Sequence, residues 1–199
     1  MSSTNRTKAR EVSIDYYVTP IPAISTFLEE LHKDSRDINF DFAKPLTILD
    51  PCAGGDPNHP MSYPEALQKW TDKNNLDAHI TTLDIRQDSL ASNKISYFDY
   101  QTDLHNIIIT NPPFNIALKI IQKALVDVVD GGLVIMLLRL NFFGSQERKE
   151  WLQQNMPIHC YVHSKRMRFM EGKSGDSIEY MHAIWQKGVS PKYTKLRII

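Results

Sequence analysis

Short runs of near-continuous apolar residues, separated by segments with helical spacing, leave this chain few folds to adopt. "LTILD" (46–50), "AHITTLDI" (78–85), "NIIIT" (106–110) and "LVIMLL" (133–138) read as strands buried on both faces. "KISYFDY" (94–100) reads as a weaker strand, and two late strands are expected near 157–163 and 178–186. Between them, "IPAISTFLEELHK" (21–33) follows Pro20 and spaces Ile24, Phe27, Leu28 and Leu31 at helical intervals. A second helix is expected over 63–74, with Pro64 in its first turn. "IALKIIQKALVDVV" (116–129) is strongly helical in period and "DGG" stops it, and another helix is expected over 145–154. This alternation predicts an open, mostly parallel sheet with helices on both faces. With 42% hydrophobic and 23% charged residues in 199, one domain can bury its own core without disulfide or metal staples.

In such sheets ligands bind beyond the carboxyl ends of the strands. Asp50, Asp84, Asp99 and Asn111 each end a predicted strand. A single aspartate there is ordinary turn chemistry, but four on successive strands mark a site. "DPCAGGD" leaves the first strand with two glycines, so the backbone can turn tightly and approach a ligand closely. It is no phosphate cradle, because it lacks the GxxxxGK[ST] lysine and is flanked by Asp50 and Asp56. Those carboxylates suit a cationic or neutral ligand, and Asp84 is placed to accept hydrogen bonds from ribose hydroxyls. S-adenosylmethionine, with an adenosine, a sulfonium and an ammonium, fits all three conditions.

These motifs resemble the S-adenosylmethionine-dependent amino-methyltransferases, in particular the DNA adenine-N6 methyltransferases of the phage and restriction-modification kind. The resemblance runs from about Tyr16 to Trp185 and is carried by short motifs. "DPCAGG" is similar to that family's D-P-x-x-G-x-G cofactor loop, with Asp56 in place of the last glycine. "LDI" is similar to the ribose-binding motif and "FDY" to the one whose aspartate lies near the cofactor's adenine. "YYVTP" (16–20) is similar to the Y-x-T-P segment set against the methionine moiety, although an aromatic staple before a helix-starting proline would look the same. The resemblance thus implies a cofactor site of Tyr17, Thr19, Pro20, Asp50, Pro51, Cys52, Ala53, Gly54, Asp84, Ile85, Asp99 and Asn111. It implies a Rossmann-like class I methyltransferase fold, α/β, whose mostly parallel sheet ends in an antiparallel hairpin.

"NPPF" (111–114) matches the family's D/N/S-P-P-Y/F tetrad, implying a catalytic set of Asn111, Pro112, Pro113 and Phe114. The chemistry explains so abrupt a strand end. A planar exocyclic amine is a poor nucleophile because its lone pair is delocalised. The Asn111 side-chain oxygen and the Pro112 carbonyl would accept its two N–H bonds and favour the pyramidal nitrogen of the transition state. Prolines fix φ and remove a donor, and Phe114 offers a flat face for the base. The same tetrad serves enzymes acting on guanine or adenine in RNA and on the glutamine amide of release factors, so RNA and protein substrates stay open. "YYVTP", the phenylalanine of the tetrad and the C-terminal "RMRF…GKSGDSIEYMHAIW" favour adenine in DNA. A duplex adenine would have to be flipped out beside Phe114. A non-catalytic partner built on the same fold is the alternative from another class.

Net charge is zero, yet residues 139–199 hold 11 Lys or Arg against 5 Asp or Glu. Read as a strand, 166–169 puts Arg166 and Arg168 on one face, able to grip phosphate. With Lys173 and Ser177 of the following loop they form the candidate nucleic-acid contacts; a solvated edge strand is the plain alternative. Residues 1–13 are expected to be a flexible segment, 14–190 one methyltransferase domain, and 191–199 a basic tail. No separate recognition domain fits, so specificity would be low, or come from loops 56–64 and 170–177, or from a partner subunit. Two isolated cysteines, Cys52 and Cys160, argue for a reducing compartment and against zinc, and His159 and His163, though spaced like a ligand pair, sit in an expected strand without the helix that would bring i and i+4 together. "MSSTNRTKAR" has no apolar core and no run reaches about 18 apolar residues, so a cytoplasmic protein without a membrane span is expected.

Overall fold

A computed structural model describes residues 17–101, 103–169 and 177–199. Seven strands form one sheet: β1 (Leu46–Asp50), β2 (Ala78–Thr82), β3 (His105–Thr110), β4 (Val128–Arg139), β5 (His159–Val162), β6 (Tyr180–Gln186) and β7 (Lys195–Ile198). Their order is β2-β1-β3-β4-β6-β5-β7. β2, β1, β3 and β4 run parallel; β6 is antiparallel to both β4 and β5, and β7 is parallel to β5. The mostly parallel sheet with an antiparallel C-terminal hairpin is therefore as expected.

Among the described residues five α-helices accompany the sheet: α1 (Ile21–Lys33), α2 (Ser35–Ile38), α3 (Ser62–Asn74), α4 (Ala117–Asp127) and α5 (Gln146–Gln154). Strand side chains alternate between two cores, as a pleated strand requires. Ile107, Ile109, Leu133, Ile135 and Leu137 pack with Ile24, Phe27 and Leu28 of α1 and Leu67 and Trp70 of α3. Ile108, Val134, Met136 and Leu138 pack with Ile120, Ile121 and Ala124 of α4 and Leu152 of α5. Both faces are covered, so the four central strands can be apolar at nearly every position.

Three expectations change. The 94–100 segment is not a strand: residues 97–99 form a turn, and the nearest pairing is a single bridge between Leu83 and Asn93. Ser96 explains this, since its carbonyl accepts the Asp99 and Tyr100 N–H groups and closes the turn. The helix expected to reach 129 stops at Asp127, because Val128 already pairs with His105 in the sheet. Gly131 and Gly132 lie in an irregularity of β4 instead, where a Cβ on Gly132 would sit 2.8 Å from the Val129 carbonyl oxygen. Part of the basic tail is β7, whose Lys195 and Arg197 pair with Asp37 and with Asp34 and Glu30. No described helix is long and apolar enough to cross a membrane.

Candidate active site

The chain steps outward from β1 to β2, then returns to the other side of β1 as β3. At this reversal the loops after β1 and β3 diverge and leave a crevice at the carboxyl ends of the strands. A cavity of about 630 Å³ opens there, within the range of small-molecule sites (about 300–1,000 Å³). A second depression, of about 680 Å³, lies at the opposite ends of β1, β3 and β4, away from every predicted site residue.

The β1 loop is built by backbone accounting. Ala53 N–H donates to the Leu83 carbonyl (2.8 Å), and Gly54 N–H donates to Asp84 Oδ2 (2.8 Å). The other Asp84 oxygen accepts Arg86 N–H (2.8 Å), and the Arg86 guanidinium donates to the Gly55 carbonyl (2.8 Å). Asp84 thus ties the loop to β2 while each of its oxygens keeps a second lone pair. Gly54 and Gly55 have φ of +67° and +74°, which an L side chain rarely adopts. Asp56, standing where the family pattern has glycine, accepts the backbone N–H of Asn58 and of His59 and holds its own turn closed.

Asp50 is wholly buried beneath this loop. Burial raises its carboxyl to about 7, against the pull of the Thr110 hydroxyl and the Cys52 N–H, with the Asp84 charge adding to the rise. Burial also pushes the half-buried Cys52 thiol up, with Asp50 and Asp84 adding to it, which disfavours the thiolate.

Of the residues expected to hold a cofactor, Tyr17, Thr19, Pro51, Cys52, Ala53, Asp84, Ile85 and Asn111 line the cavity. Pro20, Asp50, Gly54 and Asp99 are not among its lining residues. Pro20 caps α1, its carbonyl accepting Ala23 N–H (3.0 Å), while Asp50 and Gly54 lie behind the lining. Asp99 is exposed, because the strand meant to aim it is a turn. Its neighbour Phe98 faces the cavity instead; Phe98 and Ile85 are 46% and 57% exposed, two open apolar surfaces in a site rimmed by polar loops.

All four residues of the tetrad line the cavity. Asn111 Nδ2 donates to Thr19 Oγ1 (3.1 Å), and Thr19 is buried. The other end of the amide, Oδ1, is buried without a hydrogen-bond partner. The Pro113 carbonyl accepts Ile116 N–H (3.1 Å), whereas that of Pro112 has no hydrogen-bond partner among the described residues. Two acceptors on consecutive residues therefore have no donor among the described residues. Phe114 continues an aromatic wall through Tyr180, Phe169 and Tyr17, with successive centroids 5.9, 4.9 and 5.8 Å apart. Arg139, at the end of β4, places its guanidinium carbon 4.6 Å from the Phe114 ring centroid and also lines the cavity.

Solved structures share this architecture. A Listeria monocytogenes protein assigned to the class I S-adenosylmethionine-dependent methyltransferases aligns with 96% of this chain and 68% of its own (TM-score 0.63, 15% identity). The fold is that of the class I methyltransferases. A Pyrococcus horikoshii protein assigned as an RNA methyltransferase shares the class I methyltransferase fold over 92% of both chains (TM-score 0.63, 13% identity). The M protein of the EcoKI type I restriction enzyme does so over 89% of this chain but only 45% of its own (TM-score 0.63, 14% identity). No protein-family model matches the sequence, and neither does any curated protein.

The expected nucleic-acid contacts divide. Arg166 and Arg168 are exposed while Met167 and Phe169 are buried, so the expected alternation holds although 163–169 is not a strand. Phe169 ties this segment to the aromatic wall, while neither Arg166 nor Arg168 lines the cavity. Ser177 is exposed, and Lys173 lies outside the described residues. Among the described residues no group of three or more His, Cys, Asp or Glu could hold a metal. His159 pairs with Asp37 (3.1 Å); His163 bonds His182 (2.8 Å), which bonds Tyr63 (2.8 Å). Sequence reasoning missed Arg139, Tyr63 and Phe98. Only Phe98 left a signal, inside the "FDY" triplet whose aspartate drew the attention.

Proposed function

We propose that the protein transfers a methyl group from S-adenosylmethionine to the exocyclic N6 amine of adenine in DNA. The observation that carries this reading is the buried, unpartnered Oδ1 of Asn111, held by the Thr19 hydroxyl at the amide's other end. A buried acceptor without a donor costs about 1–3 kcal/mol, and an amine would relieve that cost once neighbouring groups move to admit it to Oδ1, which solvent does not reach in this structure. The cavity also fits the methyl donor. Ile85 and Phe98 offer apolar surfaces for a purine, the free lone pairs of Asp84 can take ribose hydroxyls, and no lysine of a phosphate cradle is present.

When bound, S-adenosylmethionine supplies an electrophilic methyl on its sulfonium sulfur. Asn111 Oδ1 and the Pro112 carbonyl accept the two amine hydrogens and turn the nitrogen lone pair out of the ring plane towards that methyl. The bond from Nδ2 to the Thr19 hydroxyl anchors one end of the amide and leaves Oδ1 as the end for the amine. The Phe114 wall holds the base plane. Asn111 is a neutral acceptor, so the amine's surplus proton leaves to solvent after transfer. Catalysis is by preorganised acceptors and positioning.

Adenine in DNA is favoured by the resemblance of "YYVTP", of the tetrad's phenylalanine and of the C-terminal segment. Arg166 and Arg168 are available for its phosphates, with Ser177 and Lys173 further candidates; a partner subunit remains part of the proposal for target selection. The test is mass spectrometry of nucleosides from unmethylated DNA and RNA incubated with the protein and S-adenosylmethionine. N6-methyladenine in DNA supports the reading. A methylated base in RNA alone, or labelled glutamine in protein, replaces the substrate and keeps the chemistry. No transfer and no cofactor binding at millimolar concentration leaves a non-catalytic module.

A further inference from the structure

The ring meant to receive the substrate already has a cation on it. The Arg139 guanidinium carbon sits 4.6 Å from the Phe114 centroid, against the flat face of the tetrad's aromatic residue. At that separation no base fits between guanidinium and ring, since each stacked plane needs about 3.5–4.0 Å. Arg139 must therefore leave the face if a base is to stack there. Little holds it. Its Nε is buried without a hydrogen-bond partner, and no carboxylate of a described residue lies within 4.0 Å. The other cavity arginine differs: Arg86 lies 3.5 Å from Asp84 and 3.6 Å from Asp88 and donates to the Gly55 carbonyl.

We infer that Arg139 is the anchor for a phosphate of the substrate polynucleotide, the one adjoining the target nucleotide, and that taking up this phosphate draws the guanidinium off Phe114 and clears the ring for the base. A planar fork of donors matches a phosphate in bidentate fashion. A half-buried cation without a carboxylate partner among the described residues, in a cavity that also holds the Asn111 and Pro112 acceptors, fits an anionic substrate carrying an amine and disfavours a neutral protein amide. Arg139 then enforces order, since the face stays covered until a backbone phosphate arrives. The inference rests on the nucleic-acid methylation proposed above.

The experiment uses a single-stranded adenine-containing oligonucleotide with wild type, Arg139→Gln and Arg139→Lys. Loss of one charged contact should raise KM for the oligonucleotide about 10- to 100-fold in Arg139→Gln, with kcat less affected. It should also make the slope of log affinity against log salt shallower by about 0.7. Arg139→Lys keeps the charge without the fork and should fall between. A neutral methylphosphonate is then placed at each phosphate near the target in turn. One position should cost wild type as much as Arg139→Gln costs, and cost Arg139→Gln nothing more.

Unchanged KM and salt slope in an Arg139→Gln enzyme whose wild type methylates the oligonucleotide would overturn the anchor and spare the proposed reaction. Weakened S-adenosylmethionine binding in Arg139→Gln would assign the residue to the methyl donor and also overturn it. A wild type that methylates no oligonucleotide removes the nucleic-acid reading and the anchor together.

Discussion

Replacing Asn111 by alanine isolates the proposed chemistry from the rest of the site. The substitution removes one buried acceptor, Oδ1, and one donor, Nδ2, whose partner is Thr19 Oγ1 at 3.1 Å. Removing a single preorganised partner of a transition-state dipole costs about 10²–10³ in kcat in sites of this type, or about 2.7–4 kcal/mol. Folding loses much less. One neutral hydrogen bond is worth about 1 kcal/mol, and Oδ1 had no partner to lose, so Tm should fall by no more than about 2–4 °C. Single-turnover methyl transfer with saturating donor reads the chemical step, and calorimetric titration with S-adenosylmethionine reads binding. The expected result is a kcat lower by two to three decades with a cofactor Kd changed less than about threefold. A loss below about fivefold, or a Kd that weakens in step with activity, would mean that Asn111 serves the cofactor and the acceptor argument is wrong.

The remaining expectations follow from the surroundings. Thr19→Val frees the Asn111 amide to rotate and should lower kcat by a factor of about 2–10 while leaving Asn111 in place, read in the same single-turnover assay. Gly55→Ala would put a Cβ 2.7 Å from Met61 Cγ at φ +74° and should cost about 1–3 kcal/mol by urea unfolding, whereas at Gly188 (φ +85°), where nothing lies within 4 Å, only the backbone term of about 1 kcal/mol should appear. Two pH effects should oppose each other. Asp50, raised from 3.8 to about 7, makes the folded chain hold more protons than the unfolded one, so its contribution to stability falls as pH rises through that window. His163, lowered by burial from 6.5 to about 4, contributes stability that is present above 6.5 and lost as pH falls towards 4. His182, bonded to His163, is lowered by burial too and acts in the same sense. Asp50→Asn should therefore leave a Tm that rises more steeply with pH between about 4 and 6.5 than in the wild type, and His163→Phe one that rises less steeply; shifts of the opposite sense in differential scanning fluorimetry would refute the assignment.

What the sequence disclosed follows the physics of each element. α1, β1 and the tetrad were legible because each has a strong local cause: a helical stripe after proline, an apolar run ending in Asp50, and a Pro-Pro break that no strand continues. The 94–100 turn was misread because "KISYFDY" alternates like a strand while Ser96 closes the chain on itself, a local hydrogen bond that periodicity does not register. Asp99 lost its place in the cavity for the same reason. β7 escaped notice because a four-residue, exposed edge strand has no apolar pattern to see; it is held by pairing with β5 and by ion pairs to α1 and α2. Arg139 was invisible for a different reason. It is one arginine at the end of an apolar strand, and only the tertiary approach of β4 to the tetrad shows what it covers.

The charges in the cavity have a direction. At the β1–β2 end Arg86 pairs with Asp84 and Asp88, and the raised Asp50 carboxyl lies beneath the loop, behind the lining. At the β4 end stands Arg139, without a carboxylate among the described residues. Asn111 lies between them on β3's exit, because β3 lies between β1 and β4 in the sheet. A neutral amide suits that middle position: an ionised carboxylate there would pair with Arg139 and lock the guanidinium over Phe114. Asn111→Asp tests the point. It supplies the same acceptor geometry, so a site governed by acceptors alone would keep its activity. If the free cation matters, the aspartate should hold Arg139 on the ring and raise KM for the oligonucleotide, and Arg139→Gln in that background should cause no further loss. Additive losses in the double variant would separate the two residues and refute the coupling.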